Sequence, residues 1–146
     1  MSVEIGSIAD YLNVFLTGII TVFVYRYTKK QSDAQMEVAV RDMISSARSN
    51  LRQIIITDTS VKEALLNEAK EELLNAYDEA CAKYIDKKID KKRFKRMYYG
   101  EIENIVNDDE FKKMINWPKS KFPHIIQVCQ EWNSEKSTGI SGSVLL

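Results

Sequence analysis

The stretch DYLNVFLTGIITVFVYRYTKK, residues 10–30, decides how the rest of the chain is read. Between Tyr11 and Tyr25 only Asn13, Thr17, Gly18 and Thr21 interrupt the apolar and aromatic residues. At 1.5 Å of rise per residue these fifteen residues make about 22 Å of helix, short of the roughly 30 Å of a bilayer's hydrocarbon core. Extending back to Ile5 gives about 31 Å of helix. It also brings in Asp10, whose cost is about 2.5–3.5 kcal/mol at mid-bilayer and falls toward the interface.

The flanks favour a span. Glu4 precedes the apolar run, and Arg26, Lys29 and Lys30 follow it. A secretory signal peptide carries its positive charge on the other side. The observed order is what the positive-inside rule gives for a helix whose N-terminus lies outside, with everything after Arg26 in the cytoplasm. Tyr11 at one end, and Tyr25 and Tyr27 at the other, fall at headgroup level, where aromatic rings are enriched. The expectation is a single-pass anchor over residues 1–30 in the inner (cell) membrane, in contact with membrane lipids.

Polar residues in this helix share one face. Asp10, Asn13, Thr17 and Thr21 are spaced by three, four and four, with Gly18 at the edge of the stripe. Such a stripe suits helix-to-helix association in lipid, at about 0.6–2 kcal/mol per hydrogen bond. The partner is then a second copy or another membrane protein. The alternative is that the threonines bond their own backbone and Asn13 sits near the interface.

Charge names no global partner, because 21 basic and 21 acidic side chains cancel over 146 residues. It is blocked along the chain: +3 over residues 26–56, −5 over 57–82 and +6 over 83–99. The densest block is KKIDKKRFKR, where Lys87, Lys88, Lys91, Lys92, Arg93, Lys95 and Arg96 could meet anionic lipid or a protein partner. The plainer reading is a solvated joint balanced by the acidic helix before it and NDDE after it. Nucleic acid is not the expected partner.

Helical periodicity runs through the remainder, so the fold class is all-α. It is expected as the N-terminal transmembrane helix followed by a cytoplasmic bundle of four to five helices over residues 31–133. Residues 26–31 read as a joint. The capping-box pattern Ser32-Asp33-Ala34-Gln35 predicts a new helix carrying Met36, Val40, Met43, Ala47, Leu51 and Ile54, ending near Ile56. A second box, Ser60 to Glu63, opens a helix with the stripe Val61, Leu65, Leu66, Leu73, Ala76, Tyr77, Ala80, Cys81, Tyr84 and Ile85. Asp90 is the expected N-cap of a third, bearing Phe94, Met97, Tyr98, Glu101, Ile102, Ile105 and Val106. Two shorter helices follow, from Glu110 to about Trp117 and from Lys121 to about Trp132, the second with Pro123 in its first turn. Residues 134–146, small and polar until the last three, read as a disordered tail.

Chemistry-bearing motifs are scarce. Cys81 and Cys129 fall inside apolar patterns and read as reduced, buried thiols. His124, the one histidine, is five residues from Cys129, a spacing that does not bring helical side chains together. Metal sites in bundles need Glu-x-x-His pairs on facing helices, so the acids Glu63, Glu68, Glu71, Glu72, Asp78 and Glu79 read as a solvated face. There is no phosphate-cradling glycine loop and no nucleophile elbow. Neither catalysis, metal nor cofactor is expected. The aromatics read as core, with Tyr99, beside Gly100, the one expected to be exposed.

The run LLNAYDEACAKYIDKKIDKKRFKRMYYGEIENIV, residues 73–106, resembles the cytoplasmic segment of small bacterial and prophage-borne single-span membrane proteins of uncharacterised function. Leu74, Asn75, Tyr77, Cys81, Ile89, Asp90, Phe94 and Tyr98 carry the likeness, over less than a quarter of the chain. The resemblance implies an anchor plus a helical module, in a bacterial or phage defence or exclusion setting. The expected function is therefore a membrane-anchored helical interaction or regulatory protein that self-associates. One alternative is a self-assembling pore or lesion former with the polar stripe lining water, and another is a soluble all-α binding protein.

Overall fold

A computed structural model describes residues 5–57, 62–115 and 120–140, with side chains from Asp10 to Ser134 among them. The described residues form five helices: α1 (Ile5–Ile56), α2 (Lys62–Ile85), α3 (Lys91–Asn107), α4 (Asp109–Ile115) and α5 (Pro123–Ile140). No strand occurs among them, as the periodicity predicted. Two compact units divide the chain, Met1–Gln35 and Met36–Leu146.

The first unit contains one stretch of helix, the N-terminal part of α1. Its apolar side chains are exposed, from Tyr11, Leu12, Val14 and Phe15 to Val22, Phe23, Val24 and Tyr25. Among the described residues no helix is long and apolar enough to cross a membrane. Sequence reading places a break at residues 26–31 and a new start at Ser32, yet α1 runs through both. Neither Gly nor Pro lies between Gly18 and Ile56, so nothing in the chain interrupts the backbone ladder. A Ser-x-x-Gln box caps a helix only where the chain is not already helical.

The second unit has one apolar core. From α1 it takes Val40, Ile44 and Ala47, with Met36, Met43 and Leu51 packed against them. Ile44 is a buried contributor that the predicted stripe passed over. α2 supplies Leu73, Leu74, Ala76, Tyr77, Ala80, Cys81 and Tyr84, while Leu65, expected on the buried face, is exposed. Val61, Ser60, Trp117 and Pro118, all used in the sequence reading, lie outside the described residues.

Phe94, Tyr98, Ile102 and Ile105 of α3 are buried as their spacing predicts, and Met97 is exposed. α5 closes the core against α2 with Ile125, Val128 and Trp132, the last only 1% exposed. Each fully buried large apolar side chain of this kind stabilises by about 1.5–3 kcal/mol relative to exposure. Tyr84, Phe94 and Trp132 meet as an aromatic cluster, Tyr84 edge-on to Trp132 with centroids 5.7 Å apart.

Caps set the helix ends. Asp90, in extended conformation, accepts from the Arg93 amide at 2.7 Å, the expected N-cap. Asp108 donates its own amide to the Asn104 carbonyl and accepts from Glu110 and Phe111, ending α3 and starting α4 in one residue. Pro123 is the first residue of α5, where its missing N–H costs nothing. α5 continues to Ile140, so residues 134–140 of the expected disordered tail are helical and residues 141–146 lie outside the described chain. The reason is again permissive: from Asn133 to Thr138 no residue breaks a helix, and polarity alone does not.

Candidate functional site

Asp10, Asn13, Thr17, Gly18 and Thr21 all lie on the exposed N-terminal part of α1. The Thr21 hydroxyl donates to the Thr17 carbonyl at 2.8 Å, so this part of the stripe is satisfied within its own helix. An apolar groove lies beside it, centred on Gly18 and walled by Val14, Phe15, Ile19, Val22 and Phe23.

The seven basic residues of the joint lie in the link after α2 and in the first turns of α3, and three of them form ion pairs. Arg93 pairs with Glu37 of α1 at 2.8 Å, Lys91 with Glu131 of α5 at 3.1 Å, and Lys88 with its neighbour Asp86 at 3.0 Å. Glu37 also accepts the Asp90 amide at 3.3 Å. Lys95 lies 5.7 Å from the Trp132 ring centroid, and Lys91 4.3 Å from that of Tyr84. Lys87, Lys92 and Arg96 are exposed.

This joint is a helix-terminating loop with hydrogen bonds from Lys88 N to the Lys83 carbonyl and from Lys87 N to the Tyr84 carbonyl. That pair of bonds defines a Schellman motif, whose turning residue takes a left-handed conformation. Here it is Lys87, at φ 57°. A β-carbon makes that conformation unfavourable, which is why glycine is the usual occupant.

Three polar assemblies were not evident in the sequence. Arg48 of α1 bonds both the Tyr77 hydroxyl of α2 and the Glu101 carboxylate of α3, and Tyr77 donates to Glu101 at 2.8 Å. Burial pushes the Tyr77 hydroxyl up to about 12, against the opposing pull of Arg48. Tyr84 donates to Glu131 at 2.8 Å and accepts from the Trp132 indole at 3.0 Å. Burial works against the Glu131 carboxylate, but hydrogen bonds from Tyr84 and Lys91 outweigh it and hold Glu131 below its ordinary range. Asp78 of α2 binds the first turn of α5 through His124 and Ile125. In each case partners more than twenty residues apart meet, so no local spacing announces them.

A cleft of about 180 Å³ opens between α3 and α5. Tyr99, Glu103, Val106 and Asn107 line it from α3, and Cys129, Trp132 and Asn133 from α5. Tyr99 is half-buried rather than exposed, its ring 5.4 Å from Trp132, and its hydroxyl donates to Glu103 one turn on at 2.8 Å. The i, i+4 pair Tyr99/Glu103 was the available signal, whereas Val106 was read only as part of the apolar stripe of α3.

Both cysteines are free thiols, and burial pushes each of them up. Among the described residues no group of three or more His, Cys, Asp or Glu side chains is placed to hold a metal ion. Comparison with protein-family models, with curated proteins and with solved structures found no match to this chain.

Proposed function

We propose that the chain is a single-pass, membrane-anchored interaction protein whose helical unit, residues 36 onward, meets its partner in the cytoplasm. One observation carries the reading: the apolar side chains of residues 11–25 are exposed around α1 everywhere outside the stripe of Asp10, Asn13, Thr17 and Thr21. An amphipathic helix laid on a protein or a membrane surface would be apolar on one side only. A helix apolar over most of its circumference needs an apolar medium around it, and lipid supplies it, with the polar stripe left to face a second helix.

The fifteen residues fall short of a bilayer, so the span includes residues 5–9, which α1 also contains. Asp10 then lies near the outer headgroups, where its carboxylate stays hydrated. Arg26, Lys29 and Lys30 mark the cytoplasmic side. Self-association uses Gly18 and its apolar groove together with Asp10, Asn13 and Thr17, while Thr21 turns its hydroxyl to its own helix.

Alkaline carbonate extraction tests the anchor: the full chain is expected in the pellet, and release to the supernatant would overturn the reading. Orientation follows from cysteines placed at Ser2 and Ser32, with Cys81 and Cys129 replaced. An impermeant maleimide on intact cells should label the first alone. Cross-linking through a cysteine at Asn13 tests association, and an unchanged monomer refutes it.

A further inference from the structure

We propose that the exposed basic face of the α2–α3 joint, Lys87, Lys92 and Arg96, docks on the anionic phospholipid headgroups of the membrane that holds the anchor. The inference rests on the reading above, that α1 anchors the chain in a bilayer, and names the surface that the helical unit then meets.

A joint that is merely solvated needs its cations balanced, and the acidic helix before it and NDDE after it are the obvious counter-charges. Those acids are committed elsewhere. On α2, Glu71 pairs with Lys121 at 3.0 Å, Glu72 accepts from Asn50 at 2.6 Å and Glu79 pairs with Lys83 at 3.5 Å, while Asp78 holds the first turn of α5. In NDDE, Asp108 accepts from the α4 amides and Glu110 pairs with Lys70. Glu68 lies about 25 Å of helix from Ile85, and Asp109 follows the far end of α3, about 16 Å of helix beyond Arg96. Both separations exceed a Debye length of about 8 Å. Closer in, Asp86, Glu37 and Glu131 pair with Lys88, Arg93 and Lys91, and Asp90 caps α3. Lys87, Lys92 and Arg96 are exposed and have no acidic partner among the described residues.

Lys92 and Arg96 stand one turn apart on the side of α3 away from the buried Phe94, Tyr98 and Ile102, with exposed Gly100 one turn further on. Lys87 adds an observation of a different kind. Its φ of 57° favours glycine, so the fold loses stability by placing lysine there. Such strain gathers where function uses the residue, and charge is what this lysine has and glycine lacks. Reach selects lipid as the polyanion. Arg93 ties the start of α3 to Glu37, seven residues after Lys30 of the anchor's basic flank. Seven residues span at most about 25 Å, so a charged leaflet stays close whatever path residues 31–36 take. The tether holds these cations at a high effective concentration of headgroups, which no soluble polyanion shares.

The test places the full chain in nanodiscs of phosphatidylcholine, alone or mixed with phosphatidylglycerol, each doped with a gadolinium-chelating headgroup lipid. Broadening of the amide resonances of residues 87–100 reports headgroup contact. It should appear in the anionic discs, stay absent from the neutral ones and fade at high salt. Lys92→Gln with Arg96→Gln should lower the ratio of docked to free domain by about five-fold per charge. Lys87→Gly should lower it by about five-fold while raising the thermal midpoint, which separates the charge from the fold. Lys112→Gln with Lys113→Gln makes the same change of net charge elsewhere and should leave docking unchanged. No broadening in anionic discs, equal broadening in neutral ones, or an equal loss from the Lys112/Lys113 pair would each overturn the proposal. Arg26 and Lys29 should broaden in both kinds of disc, as the anchor requires. Their failure to do so would sink the anchor, whereas their broadening with none at residues 87–100 would sink the docking face alone.

Discussion

Asp78 caps a helix that it does not belong to: its Oδ1 accepts from the backbone amides of His124 at 2.9 Å and Ile125 at 3.0 Å, and its Oδ2 lies 2.7 Å from His124 Nδ1. The residue before Pro123 is Phe122, buried in the core and unable to cap, so the first turn of α5 depends on α2. Asp78→Ala should cost about 1–3 kcal/mol, because two half-buried donors lose their acceptor. Asp78→Asn retains an acceptor and should cost less. His124→Ala removes only a partly exposed side-chain contact and should cost under about 1 kcal/mol. Urea denaturation of the three variants checks the order, and a His124→Ala loss equal to that of Asp78→Ala would refute the backbone account.

Lys87 offers a gain rather than a loss. Its left-handed backbone is what the Schellman turn requires and what a β-carbon opposes. Lys87→Gly should stabilise by about 0.5–1 kcal/mol, the strain relieved less the added freedom of the unfolded chain. Lys87→Ala keeps the β-carbon and should gain nothing, which separates conformation from the loss of charge. Thermal midpoints of the two variants decide the matter.

Gly100 is the converse case. It is exposed inside α3 at a helical backbone, and a β-carbon added there meets nothing within 4 Å. Gly100→Ala should raise stability by about 0.5–1 kcal/mol through helix propensity alone. A destabilised variant would show that the position needs glycine for a contact outside this chain.

The Tyr77 hydroxyl gives the fold an alkaline limit. Burial raises it from 10.0 to about 12. The folded chain therefore holds its proton at pH values where the unfolded chain has released it. The associated stability is complete below pH 10 and is lost as pH rises from 10 toward 12, on the order of 2 kcal/mol. Tyr98 is shifted in the same direction by burial. Guanidinium midpoints between pH 8 and 12 should fall more steeply for wild type than for Tyr77→Phe. Parallel slopes would show that Tyr77 does not carry the effect.

What the sequence revealed and what it hid divide by distance along the chain. Asp90 acts within a turn of its own position, and its role as cap could be read directly; Pro123 could be placed in the first turn of α5, although the helix starts at Pro123 itself and not at Lys121. The period of Phe94, Tyr98, Ile102 and Ile105 likewise fixed a buried face before any partner was known. Ser32 misled because a capping box is a conditional signal, effective only where the preceding residues are not helical. Asp78 and Glu131 were read as solvated acids or left aside, since the groups they bind lie on other helices. The joint's charge was legible, but its division into Lys91 and Arg93 serving the core and Lys92 and Arg96 facing solvent was not. That division depends on where Glu37 and Glu131 arrive.

The two thiols should differ in reactivity under native conditions. Cys81 is fully buried, and its thiol is raised by that burial, then by Cys129 and Asp78, so almost no thiolate forms. Cys129 is also raised, by burial and then Glu103, but it is half-buried and lines the α3–α5 cleft. A maleimide should therefore modify Cys129 slowly from the folded state and Cys81 only through unfolding. Peptide mass spectrometry along a time course separates them, and equal rates would place both reactions in the unfolded chain.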